Sequence, residues 1–271
     1  VPIGAAGPQQ PLRMEEAYFE APVCRNCGEP LTTGFCGQCG QAKARRLTWR
    51  DLRHEVWLHW RLFEVTTART LWRLISRPGY VAREYVLGRR KSHMHPLKLL
   101  LVMFGLMLLM VTTNRFFETH FYSKRTDDTV ERMAALVQSY GNWSFSIGIF
   151  AIFLASWLVY RRRLGYNSIE HAVLAVYCQI LIMGVILLNM LVTLVWDDPA
   201  FIADYKLVSG RYLYAAKVFI VGWAFRQFFL VDFKREWPRL LVAVLVYMAL
   251  SWALLRVYAL GILAMVRMQT A

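Results

Sequence analysis

The chain has 271 residues, 57% of them hydrophobic and 18% charged, with 32 Lys and Arg against 18 Asp and Glu and a net charge of +14. Soluble domains run about 45 to 50% apolar and about 25% charged, so this composition, with apolar runs approaching roughly 20 residues, excludes an ordinary soluble domain and a disordered or fibrous chain alike. The positive excess points to anionic lipid at the cytoplasmic face of a membrane rather than to nucleic acid, for which no base-reading motif is present.

Residues 1–22 carry Pro2, Gly4, Gly7, Pro8, Pro11 and Pro22 and no long apolar run, and are expected to form a flexible tail. Residues 23–43 hold four of the five cysteines as two Cys-x-x-Cys pairs, Cys24 with Cys27 and Cys36 with Cys39. A two-residue gap lets one tight turn present both sulfurs to a single ion, and the second pair completes a tetrahedron, the pattern of a structural zinc ribbon. Gly28 and Gly40 stand where a backbone amide must turn toward sulfur. A rubredoxin-type iron site would use the same four ligands. Two disulfides are disfavoured in a reducing cytoplasm, and four thiolates leave no open position for catalysis. Cys178 lies in an apolar segment and reads as a small buried hydrophobe.

Residues 44–95 are basic, aromatic and helical in period. Trp49, Leu52, Val56, Trp57, Trp60 and Phe63 recur on one face, with Arg50, Asp51, Arg53, His54, Glu55, Arg61 and Glu64 among them, and Thr48 with Asp51 resembles a capping box. A second piece around 68–75 stops at Pro78, and a third over 79–87 is closed by Gly88. Such faces suit amphipathic helices lying in the membrane interface; packing on the bundle or the ribbon would use the same aromatics as core.

After Pro96 five segments read as spanning helices, about 97–113, 146–160, 171–195, 212–231 and 240–266, so the fold class is an all-α membrane bundle of residues 96–271 bearing the small ribbon. Arg161, Arg162, Arg163, Lys234, Arg235 and Arg239 crowd the two short loops that share a side with the ribbon. By the positive-inside rule the N-terminus is cytoplasmic and the C-terminus lies outside, in the periplasm of a bacterial inner membrane.

Polar groups near the apolar segments form two candidate sites. His93 and His95 before the first span, with Glu170 and His171 at the start of the third, make a candidate polar interface site, although Glu170 is also explained by the helix dipole. Asn189, Lys217, Arg226 and Arg256 make a candidate intramembrane site; the bland alternatives are interhelical hydrogen bonding for Asn189 and snorkelling for the cations.

Cys24-x-x-Cys27-Gly28, Phe35-Cys36-Gly37-Gln38-Cys39-Gly40-Gln41, Arg46-Leu47-Thr48, Pro78-Gly79, Gly88-Arg89-Arg90-Lys91 and Pro96, with Glu170-His171 later, together resemble a bacterial membrane family known as domain of unknown function 3667. In that family an aromatic residue often takes the place of His93. The resemblance implies an inner-membrane protein with a cytosolic zinc ribbon and brings no established activity. The expected role is therefore non-enzymatic: an adaptor or assembly scaffold that binds a protein partner, or a second copy, through ribbon and interfacial helices. A small-solute or lipid transporter, or its accessory subunit, and a lipid-headgroup enzyme at the cytoplasmic interface are the alternatives.

Overall fold

The computed structural model describes residues 11, 13–51, 65–113, 143–196 and 198–270. The described residues are helical apart from two isolated bridges in the ribbon, Val23 with Pro30 and Phe35 with Ala42. In chain order the helices are α1 (Glu16–Glu20), α2 (Val65–Ser76), α3 (Pro78–Val86), α4 (Pro96–Thr113), α5 (Trp143–Tyr160), α6 (Ser168–Val195), α7 (Pro199–Phe228) and α8 (Phe233–Thr270).

The apolar segments become α4 to α8. Two of these are long and apolar enough to cross a membrane, Ser168–Val195 and Phe233–Gly261; Pro96–Met110 and Ile147–Tyr160 are shorter apolar helices. The expectation of five spanning helices thus exceeds what length and hydropathy establish. In α7 the reason is visible: Arg211, Lys217 and Arg226 punctuate a 30-residue helix. In α4 and α5 it is reach, since 18 residues extend only about 27 Å.

The central element is α6, which packs against α4, α5, α7 and α3, while α8 lies against α5 and α7 at the edge. The buried face of α6 carries Val173, Leu174, Tyr177, Cys178, Ile180 and Met183, and Cys178 is a core residue as its setting in the sequence suggested. Outward, α8 presents Trp252, Val257, Leu260 and Met268. An apolar exterior on this scale suits a lipid surround.

Two expectations change near the N-terminus. The tail ends by Met14: Met14 and Phe19 are buried, and the amide of Met14 donates to the carbonyl of Leu164 at 2.8 Å. Two apolar side chains five residues apart give this stretch something to bury, so it straps the bundle. Next, α3 is no interfacial helix, because Val81, Ala82, Tyr85 and Val86 are buried against α6 and α7. The helix α2 is two-faced, with Leu74 buried and Trp72 and Ile75 exposed. The Thr48–Asp51 capping box forms, the amide of Asp51 donating to Thr48 Oγ1 at 3.3 Å and that of Thr48 to Asp51 Oδ2 at 3.1 Å. The aromatic face from Leu52 to Phe63 lies outside the described residues.

Gly79 sets how closely α3 meets α7. A Cβ there would stand 2.2 Å from the Ala224 carbonyl oxygen and 2.7 Å from the Phe228 nitrogen, both backbone atoms that cannot rotate aside. The Gly79 amide donates to Gln227 Oε1 at 3.0 Å. Gly79→Ala is expected to force the helices apart and lower stability by roughly 1 to 3 kcal/mol. Gly105→Ala, with open space around its Cβ, is expected to leave stability unchanged or raise it by up to about 1 kcal/mol. Thermal unfolding of both variants in detergent checks the contrast.

Candidate metal centre

Each Cys-x-x-Cys pair folds into the same hairpin knuckle. The Gly28 amide donates to the Cys24 carbonyl at 2.9 Å and the Cys24 amide to the Glu29 carbonyl at 2.8 Å; the second knuckle repeats this with Gly40 to Cys36 at 2.7 Å and Cys36 to Gln41 at 2.8 Å. Gly28 and Gly40 sit at φ of 86° and 70°, the left-handed region where an L side chain is strained. The tight turns leave the four sulfurs with nowhere to point but inward.

Cys24 Sγ lies 3.6 Å from Cys39 Sγ, Cys27 Sγ 3.4 Å from Cys36 Sγ, and all four fall within 4.8 Å of one another. Tetrahedral bonds of about 2.3 Å place sulfurs about 3.8 Å apart, so the set can hold a metal ion. All four are free thiols, and the spacing is far beyond a disulfide bond of about 2.05 Å. The amide of Cys39, helped by the Cys27 side chain and the amide of Gln38, pulls the Cys36 thiol down to about 7 against an opposing effect of burial. Burial pushes Cys27 up to about 12. A ligand set in which one thiol ionises near neutrality gives a cation its first anchor, and binding then displaces the remaining protons.

The centre is fixed to the bundle through the loop between α3 and α4. The Gln41 side chain donates through Nε2 to the Gly88 carbonyl at 2.8 Å and accepts at Oε1 from the Lys91 amide at 3.0 Å. Lys91 Nζ reaches back to the Cys39 carbonyl, and Ser92 Oγ meets Asn26 Oδ1 between the first two cysteines. Gly88, at φ 96°, closes α3 as expected, its amide donating to the Tyr85 carbonyl at 3.0 Å and the Arg89 amide to the Glu84 carbonyl at 3.0 Å. It also leaves room for the ribbon, since a Cβ would stand 2.6 Å from that of Ala44.

A second tie lies one strand of chain later. Arg46 Nε donates to Glu170 Oε1 at 3.2 Å, and its NH2 to the Gly165 carbonyl at 2.5 Å. Glu170 also completes a capping box, accepting from the Asn167 amide at 2.7 Å while Asn167 Oδ1 accepts from the Glu170 amide at 2.9 Å. Asn167 Nδ2 donates to the Leu47 carbonyl at 3.2 Å. Arg46-Leu47 and the pair Asn167 and Glu170, distant in sequence, are thus one contact.

Each member of the interface quartet has its own surroundings. His93 Nε2 lies 2.7 Å from Glu84 Oε2, and Arg89 NH1 donates to Glu84 Oε1 at 3.2 Å. Burial would raise the Glu84 carboxyl, but the His93 hydrogen bond and the charges of His93, Arg89 and Arg73 outweigh it and hold Glu84 below the usual carboxylate range. His95 Nδ1 accepts from the Leu97 amide at 3.3 Å and its ring meets Tyr85 edge-on. His171 is fully buried, Nδ1 lying 3.0 Å from Ser156 Oγ, between Tyr166 and Phe229. Ser156 itself donates to the Phe153 carbonyl at 2.9 Å, so this serine and histidine are packing partners within α5 and α6.

The intramembrane quartet is dispersed. Asn189 Oδ1 accepts from Tyr205 at 2.8 Å and from Tyr212, tying α6 to α7 at the end remote from the ribbon. Lys217 is half-buried at mid-helix. Arg226 lies over Trp223 at 5.1 Å and Phe233 at 5.8 Å near the ribbon end of α7. Arg256 is exposed and lies over Trp252 at 5.4 Å.

Sequence reasoning missed three polar ties. Arg163 donates to the Phe229 carbonyl at 2.8 Å, the Leu230 carbonyl at 3.0 Å and Glu236 Oε2 at 2.7 Å. Buried Arg83 donates to the Pro11 carbonyl at 2.6 Å and to the Tyr166 hydroxyl. Tyr177 donates to the Met94 carbonyl at 2.7 Å. Arg163 stood among the loop charges, where its value as a topology signal hid its role as a clamp.

Residues 68–108 match the family model described as protein of unknown function (DUF3667), which covers most of α2, all of α3, the loop that receives the ribbon, and most of α4. No curated protein and no solved structure matches the chain.

Purified protein is expected to carry one tightly bound metal ion per chain by elemental analysis, and Cys24→Ser with Cys27→Ser to remove it. Arg46→Ala, which leaves a buried carboxylate without its cation, is expected to cost roughly 3 kcal/mol, and Glu170→Gln in the same background to recover part of that loss. A double-mutant cycle by thermal unfolding measures the coupling; additive losses would refute it.

Proposed function

We propose that this chain is a multi-pass protein of a bacterial inner membrane that works as an adaptor or assembly scaffold, presenting a rigidly mounted zinc ribbon to a partner at the cytoplasmic face. The observation that carries the reading is the mounting itself. A ribbon tethered by a flexible linker needs no buried carboxamide bridge to the bundle, whereas here Gln41, Lys91 and Arg46 fix its orientation. What remains exposed is the opposite edge, Thr32, Thr33, Phe35, Gly37 and Gln38, with Phe35 66% exposed. An aromatic side chain held outward on a small fixed platform is the kind of anchor on which protein interfaces are built.

Zinc is the metal that suits four thiolates in a closed structural site, and its role is to supply the folding energy of a segment with little apolar core of its own. In the five-span arrangement the loops bearing Arg161 to Arg163 and Lys234 with Arg235 share the ribbon's side, and the contacts of Arg163 with Phe229, Leu230 and Glu236 and of Arg46 with Gly165 support it by gathering those loops at one end. Shorter α4 and α5 then cross a thinned or tilted bilayer. Anionic lipid meets the exposed basic residues of that end. Transport through Asn189, Lys217, Arg226 and Arg256 draws no support from a set in which Asn189 is tied to Tyr205 at the end remote from the ribbon and Arg226 lies near the ribbon end, and headgroup chemistry draws none from His93 on Glu84, Glu170 on Arg46 and His171 on Ser156.

Phe35→Ser is expected to lower recovery of the partner, or of a differently tagged second copy, in mild detergent by about tenfold, with metal content unchanged. Full recovery with Phe35→Ser would refute the docking role. A reporter fused after Ala271 is expected outside the cytosol; a cytosolic reporter would refute the topology.

A further inference from the structure

At the seam under the first knuckle, positive charge accumulates faster than the acceptors that neutralise it. Arg25, between Cys24 and Cys27, is only 6% exposed, and its guanidinium lies 3.8 Å over the ring of Tyr18 on α1. Its Cβ and Cγ stand against Gly88. Arg89, the next residue along the loop, pairs with Glu84, and so does His93. Arg83 is 2% exposed and its acceptors are neutral, a carbonyl and a phenol. The guanidinium groups of Arg25, Arg83 and Arg89 all act electrostatically on Tyr18, and against these three cations the paired carboxylate is Glu84 alone among the contacts of the described residues.

The hydrogen-bond count has the same imbalance. Arg25 Nε and Arg89 Nε, on either side of Gly88, are buried with no partner among the described residues, and so is Nδ1 of His93. A guanidinium N–H cannot be deprotonated, and leaving it buried and unpaired costs more than an ordinary hydrogen bond returns. Arg25 and Arg83 are buried and Arg89 is 25% exposed, and cations so placed with open donors are matched by an added anion.

We propose that this seam binds a phosphate group, held by Arg25 from the ribbon and Arg89 from the loop, so that the anion joins the metal knuckle to the bundle. Arginine is the side chain suited to it, since its planar fork matches phosphate oxygens two at a time. The group comes from an anionic phospholipid headgroup or from a soluble phosphate; Pro96, where α4 begins, lies only seven residues beyond Arg89, which puts the seam near headgroup depth in the proposed orientation. The inference is independent of any protein partner.

The test uses full-length, metal-loaded protein in neutral detergent. Inorganic phosphate is titrated while thermal unfolding is followed, and phosphatidylglycerol or phosphatidylcholine is offered in mixed micelles with retained lipid counted by native mass spectrometry. Arg25→Gln and Arg89→Gln are expected to weaken binding about tenfold each, whereas Arg211→Gln, an exposed cation of α7 far along that helix from the ribbon end, leaves it unchanged. Selective retention of phosphatidylglycerol, lost in the seam variants and untouched by inorganic phosphate, assigns the site to lipid. A saturable stabilisation by inorganic phosphate, lost in the same variants, assigns it to a soluble ligand. Equal retention in all three variants, or no response of the unaltered protein to either source, overturns the proposal. Metal content reports whether each variant keeps its ribbon; if the Gln variants shed metal, the titration of the unaltered protein and the charge-retaining Arg25→Lys decide.

Discussion

The carboxamide of Gln41 is where the two parts of the molecule become one. A ribbon of two knuckles has almost no apolar surface with which to adhere to anything, so its attachment has to be polar, and a polar contact holds only if every buried donor and acceptor is matched. Gln41 meets that condition with a donor to Gly88 and an acceptor for Lys91, both backbone groups of a loop that Gly88 itself shapes. Replacing Gln41 by an apolar residue would strand both backbone groups. The four sulfurs therefore do more than fold a hairpin: whatever ion they hold also sets the position of Gln41, two residues beyond Cys39, and through it the loop that leads into α4.

The same requirement explains how the helix ends are arranged. Positive side chains cluster where chain carbonyls run out of intrahelical partners, as Arg163 does for Phe229 and Leu230 beyond α7 and Arg46 for Gly165 before α6. Loop cations placed by topology rules are here also the caps of neighbouring helices. Bands of Tyr160, Tyr166, Phe225, Phe228, Phe229 and His171 pack beneath them, with Tyr160 and Phe229 stacked at 4.1 Å between centroids. The ribbon end of the bundle is aromatic and cationic in alternate layers, and the remote end is tied by the tyrosines around Asn189.

Much of this was legible residue by residue. Cys spacing, the glycine after each pair, the cap at Gly88 and the box at Thr48 all depend on geometry within a few residues, and local geometry is what a sequence displays. The extents of α4, α5 and α6 followed from apolar runs to within three residues, whereas α7 and α8 begin thirteen and seven residues earlier than expected, because their first turns are polar and an apolar run does not mark them. Pairings across long separations were not legible, because nothing near Arg46 announces that its carboxylate is Glu170, and Gln41 and Gly79 give no sign alone that one is a bridge and the other a point of near contact. For residues 79–87 the composition allows either an interfacial helix or one packed on the bundle, and the structure takes the packed form: Val81, Ala82, Tyr85 and Val86 are buried, and Arg83 is 2% exposed because a phenol and a carbonyl meet it. Composition reports what a side chain is and not whom it finds.

The Arg163 clamp bears on the order in which the chain is made. Its acceptors, the carbonyls of Phe229 and Leu230 and the carboxylate of Glu236, emerge from the ribosome some seventy residues after it. Until then the guanidinium in the turn between α5 and α6 has only water to meet, so this tie between the end of α5 and the start of α8 can form only once the chain has been made beyond Glu236.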